Sequence, residues 1–523
     1  MYKSRSVILA AGYGLRMVPL CRDIPKALLE IKGEVLIERL IRQLNEANIN
    51  EIYIVVGYMK EQFEYLIDKY NVNLIVNRDY KDKNNLHSLS LVVDKLENSY
   101  IIPCDVWCEN NPFSTIGSES WYMVTDKLTI KSKIKADDKR VLHRIPESEK
   151  GNREIGIAYL TAETAGVIKK NITSLMNLDS SEHAFWERAA LDGNQLLLKA
   201  NIVPDETVFE INTYDDLIHC DMDSKSLDSE YIRIICESLH AEKHEIYNIE
   251  SLKAGMTNRS FLFNCAGHKY IFRIPGEGTD KLINRREEYE VYQLIKGRDI
   301  CDEVIYMNPE NGYKITKFLE GSRNCDAYCE SDVVACMSFL KSFHELKLTV
   351  DHEFDLFGQI EYYECLRGQQ SAYYDYKRVK EHVFELKQFI DSQDKDYCLT
   401  HIDAVPDNFI FTGNDIHLID WEYAAMQDPH VDIAMFAIYS LYNKQQTDKL
   451  IDIYFDNQCS SLTRAKIYAY VAVCGLLWSN WCEYKRNLGV EFGEYSLRQY
   501  RYAKDYYKYA KELIENSAEE DAE

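Results

Sequence analysis

His401-Ile402-Asp403-Ala404-Val405-Pro406-Asp407-Asn408 and, twelve residues on, Asp420-Trp421-Glu422 form the stretch that decides how the C-terminal half of this chain folds. Moving a phosphoryl group from a nucleotide to a hydroxyl asks for a base at the hydroxyl and oxygen ligands for a metal at the phosphates. An Asp, an Asn five residues later and a second Asp behind a β-rich Ile416–Ile419 supply both.

The residues upstream suit the same chemistry. Residues 247–275 read as strand, Gly255 turn, strand, turn and strand, and helical patterns dominate from about Asp280. A small β-rich lobe ahead of a larger helical lobe is the order of a kinase-like fold. Gly255-Met256-Thr257-Asn258-Arg259 is a turn suited to covering phosphates, with Gly255, Thr257 and Asn258 as nucleotide-binding candidates. Arg273, in Tyr270-Ile271-Phe272-Arg273-Ile274, holds the third-strand position usually given to Lys, and Glu288 on the following helix is placed to pair with it. Trp478 and Trp481 are three apart, hence on one helix face. With Tyr495 they could box a trimethylammonium group, although amphipathic packing would place the two indoles in the same way. Glu422 either adds charge to that box or is structural. The run Tyr500–Tyr509 reads as helix packing.

Arg273, His401-Ile402-Asp403-x-x-Pro406, Ile419-Asp420-Trp421-Glu422-Tyr423-Ala424, Trp478-Ser479-Asn480-Trp481 and Glu491-Phe492-Gly493-Glu494-Tyr495 together resemble the choline/ethanolamine kinases over about residues 245–510. The likeness is close to the bacterial choline kinases that feed phosphocholine into surface glycans. It implies Asp403 as the base, Asn408 and Asp420 on Mg2+, and Arg273 with Glu288 at ATP.

The N-terminus carries a different nucleotide signature. Leu9-Ala10-Ala11-Gly12-Tyr13-Gly14-Leu15-Arg16 follows an apolar strand, and Pro25-Lys26-Ala27 comes soon after. Small residues let backbone N–H groups approach a phosphate or a base. Met17 stands where a dinucleotide fingerprint wants a third Gly, and no Walker A lysine is present. Arg16 and Lys26 instead supply two cations beside the loop. This set, with Asn84-Asn85, the helix Leu86–Leu96 and Tyr100-Ile101-Ile102-Pro103-Cys104-Asp105, resembles the nucleotidyltransferases, most of all their CTP:phosphocholine cytidylyltransferase branch, through residues 1–220. The resemblance implies that Ala10, Ala11, Gly12 and Gly14 cradle the nucleotide and that Arg16 and Lys26 bind the CTP phosphates and assist catalysis. It implies Asp105 and Asn212 as Mg2+ ligands, Asn212 standing where relatives have Asp. For a quaternary ammonium acceptor the candidates are Trp186-Glu187, with Trp107 and Trp121 weaker; each Trp reads equally as a core aromatic. Around Ser132-Lys133-Ile134, where this branch tends to have an aromatic, the chain is polar and basic.

Between Ser6 and about Ile102, strands (Val7–Ala10, Ile52–Val56, Leu74–Val76, Tyr100–Ile102) alternate with helical patterns (Leu36–Ala47, Glu61–Tyr70), which argues for a mostly parallel sheet. The fold class is therefore α/β. A Rossmann-like nucleotidyltransferase domain of mixed, mostly parallel sheet over 1–222 precedes a linker and helix over 223–244. A bilobal kinase-like domain follows over 245–523, its small lobe about 245–320, its large lobe about 321–510, and an acidic tail 511–523 that is expected to fray.

At 523 residues the chain is too long for one core. A net charge of −24 argues against nucleic acid and anionic membranes as partners and leaves small molecules. The 15 Cys show no paired CxxC spacing and read as free thiols of a cytoplasmic protein. The longest apolar run, Ala469–Trp478, is half a membrane span. Oligomeric state is not legible. The two halves make sense in series: choline and ATP give phosphocholine, and phosphocholine with CTP gives CDP-choline and pyrophosphate. Two alternatives stand beside this reading. The same reactions run on ethanolamine or another amino-alcohol, or an aminoglycoside-type kinase is fused to a sugar-1-phosphate nucleotidyltransferase.

Overall fold

The structure is a computed structural model that describes residues 4–115, 118–178, 182–191, 198–252, 258–276, 279 and 282–520. The described chain divides into two compact units, one up to residue 252 together with 260–268, the other from 269 onward with the short piece 258–259.

The first unit is built on a seven-stranded sheet. Its strands are β1 (Arg5–Ala10), β2 (Glu51–Val56), β3 (Asn73–Val76), β4 (Ser99–Pro103), β6 (Trp121–Thr129), β7 (Gly151–Leu160) and β8 (Lys199–Val203), in the order β8-β6-β7-β4-β1-β2-β3. Only β7 runs against its neighbours; β1 pairs in parallel with both β2 and β4. A central parallel strand is buried on both faces, and Val7 and Ile8 are fully buried. The continuous apolar run of β1 is the sequence trace of that position. Helix α1 (Leu36–Glu46) packs Ile37, Leu40, Ile41 and Leu44 into the core on one side of the sheet. The expected helix 86–96 is shorter: α2 (Asn85–Ser90) starts on the Asn84 side chain and gives way to a 3-10 turn at Val93–Lys95.

Two short strands, β5 (Val106–Cys108) and β9 (Val208–Glu210), pair antiparallel with Glu210 opposite Val106. The next amide extends the ladder, Ile211 N donating to Asp105 O at 2.9 Å, so Asn212 arrives beside Asp105 across more than a hundred residues of chain. Helix α3 (Tyr214–Cys220) fixes this arrival, because Asp216 accepts from the backbone N–H groups of Asn212 and Thr213 in a capping box. After a helix over Glu230–Leu239, a hairpin of β10 (Ile246–Ser251) and β11 (Asn258–Cys265) follows, its first strand tied to the first unit where Asn248 N meets Asp215 at 3.0 Å.

In the second unit, β12 (His268–Pro275), β13 (Val304–Met307) and β14 (Lys314–Lys317) form antiparallel ladders, β14 between the others. Helix α4 (Arg285–Ile295) follows β12 and starts on the Asn284 side chain. The rest is mostly helical: α5 (Leu356–Arg367), α6 (His430–Tyr439), α7 (Ser461–Asn487) and α8 (Glu494–Glu520). Four short strands, β15 (Cys398–Thr400), β16 (Phe409–Thr412), β17 (Asp415–Leu418) and β18 (Ala425–Gln427), carry the loops 401–408 and 419–424. The tail expected to fray after Ala510 continues α8 as far as Glu520, with Leu513 packed against the core. All 15 cysteines are free thiols. Among the described residues no helix is long and apolar enough to cross a membrane.

Candidate active sites

A cavity of about 540 Å³ opens in the first unit at the carboxyl ends of β1, β3 and β4, the place where parallel sheets bind ligands. It gathers Ala10, Ala11, Gly12, Gly14, Arg16, Lys26, Asp105, Asn212, Trp186 and Glu187. Gly14 has φ +62, and a Cβ on it would meet Cys21 Cβ at 3.3 Å. Lys26 Nζ donates to Asp105 Oδ2 at 2.6 Å and to Asn212 Oδ1 at 2.8 Å, and Arg16 Nη2 reaches Asn212 Oδ1 at 3.3 Å. Two hard oxygens, one anionic and one amide, thus converge on a single cation position. That donor set fits Mg2+, whose remaining ligands come from water and substrate phosphates. Among the described residues no group of three or more His, Cys, Asp or Glu forms a ready-made metal cage.

Two further carboxyls stand near this pair, Glu187 in the cavity lining and Glu210 in β9. Glu187 Oε2 is buried with no hydrogen-bond partner among the described residues, and burial pushes the carboxyl up to about 8. Glu210 is pushed up to about 7, by burial first and then by Asp105. Trp186 borders the cavity, but its ring is 1 % exposed and tilts against Tyr122 at 6.1 Å, so it is a core side chain. Trp107 and Trp121 do not line the cavity. Trp107 lies under the Arg39 guanidinium at 3.9 Å, and Trp121 packs edge-on to Tyr100. At the rim, Tyr13 stacks on Tyr58 at 4.1 Å and lies 6.2 Å from Tyr80.

In the second unit, the loop from β15 to β16 holds Asp403, and Asn408 closes it: Nδ2 donates to Asp403 O at 2.9 Å and to Asp403 Oδ2 at 3.2 Å. This leaves the Asn408 carbonyl oxygen as the acceptor end. Asp432 of α6 holds the loop from behind, accepting from His401 N at 3.0 Å and Ile402 N at 2.7 Å, while His401 Nε2 meets Ile419 O at 3.0 Å. Ile402 and Asp420 both adopt positive φ, +67 and +66, strained for non-glycine residues. Burial, then Asp420 and Glu422, push the Asp403 carboxyl well above the ordinary carboxylate range. Arg273 Nη1 lies 2.6 Å from Glu288, 3.4 Å from Asp420 and 3.8 Å from Glu422. Arg285 joins the same array at 3.0 Å from Glu288 and 3.6 Å from Glu422.

Beside this loop runs a row of rings: Tyr423–Trp478 at 5.6 Å, Trp478–Trp481 at 5.5 Å, Trp481–Phe492 at 5.2 Å and Phe492–Tyr495 at 6.4 Å. Tyr495 and Tyr363 both feel the Asp403 charge. A separate cavity of about 560 Å³ takes in Glu422, Tyr423, Tyr362, Phe354 and Arg285, but neither Asp403 nor Trp478, Trp481 and Tyr495.

The family described as choline/ethanolamine kinase matches residues 249–470, and that described as MobA-like NTP transferase domain matches residues 6–110. Over 216 residues the chain is 33% identical to choline-phosphate cytidylyltransferase of Streptococcus pneumoniae, spanning 40% of this chain and 94% of that protein. It is 30% identical to the solved choline kinase LicA from Streptococcus pneumoniae, spanning 54% of this chain and 99% of that one, with a TM-score of 0.47. The chain belongs to the choline-phosphate cytidylyltransferase family in its N-terminal part, and its C-terminal part carries a choline/ethanolamine kinase domain. It is also 27% identical over 261 residues to Protein LicA of Haemophilus influenzae, spanning 47% of this chain and 96% of that protein. An enzyme of two transferase parts, a nucleotidyltransferase and a kinase, follows.

Near the same sites stand several residues to which the sequence reading gave no role. In the cytidylyltransferase part they are the Tyr13–Tyr58–Tyr80 cluster, half-buried Glu210, and Gly57, where a Cβ would stand 2.8 Å from Ala11 O. In the kinase part they are Arg285, Asp432 and Lys314. Only Gly57 carried a signal, as a glycine directly after a strand. The expected turn residues Gly255 and Thr257 lie outside the described residues, and of Asn258 only the strand is described.

Proposed function

We propose that this enzyme makes CDP-choline in two steps, with choline, ATP and CTP as substrates and Mg2+ at both sites, as a cytoplasmic protein without a nucleic-acid partner. The row of rings beside Asp403 carries the reading; in it Phe492 and Tyr495 are half-buried and Trp478 and Trp481 are buried. A trimethylammonium group is weakly hydrated and gains about 0.5–2 kcal/mol from each aromatic face, whereas a polyhydroxylated cation calls for acids and hydroxyls. On the same reading residues 1–222 form the cytidylyltransferase, 223–244 the connection and 245–523 the kinase.

In the first step Asp403 takes the choline hydroxyl proton onto its carboxylate. Arg273, anchored on Glu288, sets its guanidinium at the ATP phosphates, and Asn408 and Asp420 hold Mg2+. In the second step the phosphocholine phosphate attacks the α-phosphorus of CTP and pyrophosphate leaves. Arg16 and Lys26 neutralise the phosphates, Ala10–Gly14 cradle the nucleotide, and Glu187 faces the ammonium. Asp105 and Asn212 hold Mg2+, which at both sites supplies charge neutralisation at the phosphates. Both steps are positioning and electrostatics, and neither needs a covalent enzyme intermediate.

The test is product analysis on the purified chain. With choline, ATP, CTP and Mg2+ it should release CDP-choline. Asp403→Ala should abolish this from choline, by about 10²-fold or more, while leaving the reaction from supplied phosphocholine intact. Asp105→Ala should let phosphocholine accumulate. Ethanolamine outcompeting choline would sink the argument from the rings.

A further inference from the structure

Lys314 is buried, 6 % exposed, in the middle strand of the second unit's small sheet, and no role described above uses it. Ile315 and Phe272, opposite each other on the other face of the sheet, are fully buried, and Lys314 with Arg273 is buried on this face, so the sheet is covered on both sides. Its cross-strand partner in the β12–β14 ladder is Arg273. Like charges directly opposite each other destabilise a sheet, and burying an ammonium is unfavourable unless it is paired. A methionine of similar length would fill the space without either cost, so the charge itself is what needs a reason.

The contacts of Lys314 give one. Its Nζ donates to the Tyr292 hydroxyl and lies 4.1 Å from the centre of that ring. Tyr292 is on α4, four residues beyond Glu288, hence one turn along the same face. The two opposed strand positions therefore reach the same helix one turn apart, Arg273 through Glu288 and Lys314 through Tyr292. The remaining charged groups facing the pair are Arg285, Asp302, Asp420 and Glu422. Burial and the Arg273 charge pull the Lys314 ammonium below the usual lysine range, while Asp302, Glu288 and Asp420 oppose that pull.

We propose that Lys314 is a positioning residue for nucleotide binding: with Tyr292 it fixes α4 one turn beyond Glu288, and its charge biases the Arg273 guanidinium away from itself, toward Asp420 and the nucleotide phosphates. The proposal rests on the reading that Arg273 meets ATP.

Steady-state kinetics of the full chain separate the two ideas. Lys314→Met should raise KM for ATP by about tenfold and leave KM for choline within about twofold, a loss of binding confined to one substrate. Tyr292→Phe, which keeps the ring and removes only the hydroxyl, should raise KM for ATP by about threefold. The double variant should be no worse than Lys314→Met, because both act through one contact. The unchanged KM for choline reports that the second unit is folded, and pyrophosphate release from CTP and phosphocholine, run on the same samples, should not change and reports the amount of intact first unit. Unchanged KM for ATP in both variants overturns the proposal, as does an equal rise for ATP and choline. Should Lys314→Met not fold, Tyr292→Phe decides alone. Arg273→Ala is the check on the underlying reading: if it leaves KM for ATP unchanged, Arg273 does not meet the nucleotide and that reading falls, whatever Lys314 does.

Discussion

At the scale of single residues, the cytidylyltransferase cavity keeps a carboxyl in an environment that disfavours its charge. Glu187 is raised from 4.5 to about 8, with burial as the first cause and Glu154, Asp105 and Glu210 adding to it. The folded protein therefore binds a proton at Glu187 that the unfolded chain has already released between about pH 4.5 and about pH 8. Stability contributed at this position falls as pH rises through that window. Glu187→Gln removes the dependence. In differential scanning calorimetry the first unit's transition should drop less between about pH 5 and about pH 8.5 in Glu187→Gln than in the parent chain, by about 2–4 °C. Identical slopes would mean that the carboxyl is solvated. The same substitution should weaken phosphocholine and spare CTP, since the carboxylate is what an ammonium would draw into its charged form.

At the scale of elements, the long helices of the second unit are held closer than their side chains alone suggest. A Cβ on Gly475 of α7 would stand 2.7 Å from Gln499 O and 2.8 Å from Tyr502 Cβ on α8. Gly475→Ala would ordinarily favour a helix by about 1 kcal/mol; here the backbone of α8 must move, and we expect a net destabilisation of about 1–3 kcal/mol, read as a lower urea midpoint for the second unit. A midpoint that rises would show that the helices can separate freely. This contact also marks where sequence reading stops. β1 was legible because burial on both faces leaves an unbroken apolar run, and Asp105 because it ends such a strand. The loop 401–408 was legible because its chemistry fixes its spacing. Lys314 was not: Lys314-Ile315-Thr316-Lys317 reads as a strand with two exposed lysines, and only the packing of α4 over β14 buries the first of them. The Tyr13, Tyr58 and Tyr80 rings were likewise invisible, since they come from loops after three different strands that only the sheet order brings together. Trp186 is the opposite case. Its type allowed either an ammonium face or a core ring, and the fold packs the ring in the core beside Tyr122.

At the scale of the whole molecule, the residues named for each step come from one unit alone: Ala10 to Asn212 from the first, Arg273 to Tyr495 from the second. A site assembled within one unit does not need the chemistry of the other to be intact. Joining the two keeps the activities equimolar, and any further gain requires that the intermediate be captured before it diffuses away. The separation makes complementation in trans the decisive measurement. Asp403→Ala and Asp105→Ala chains, each unable to convert choline to CDP-choline, should together restore the flux. Phosphocholine made by the second chain must cross solution to reach the first, so CDP-choline should appear after a lag that shortens as both proteins are raised. Unlabelled phosphocholine added to labelled choline should dilute the label in the product in proportion. A mixture that stays inactive while each chain still performs its own surviving half-reaction would show that the intermediate passes only within one chain, and independence of the two sites would have to be given up.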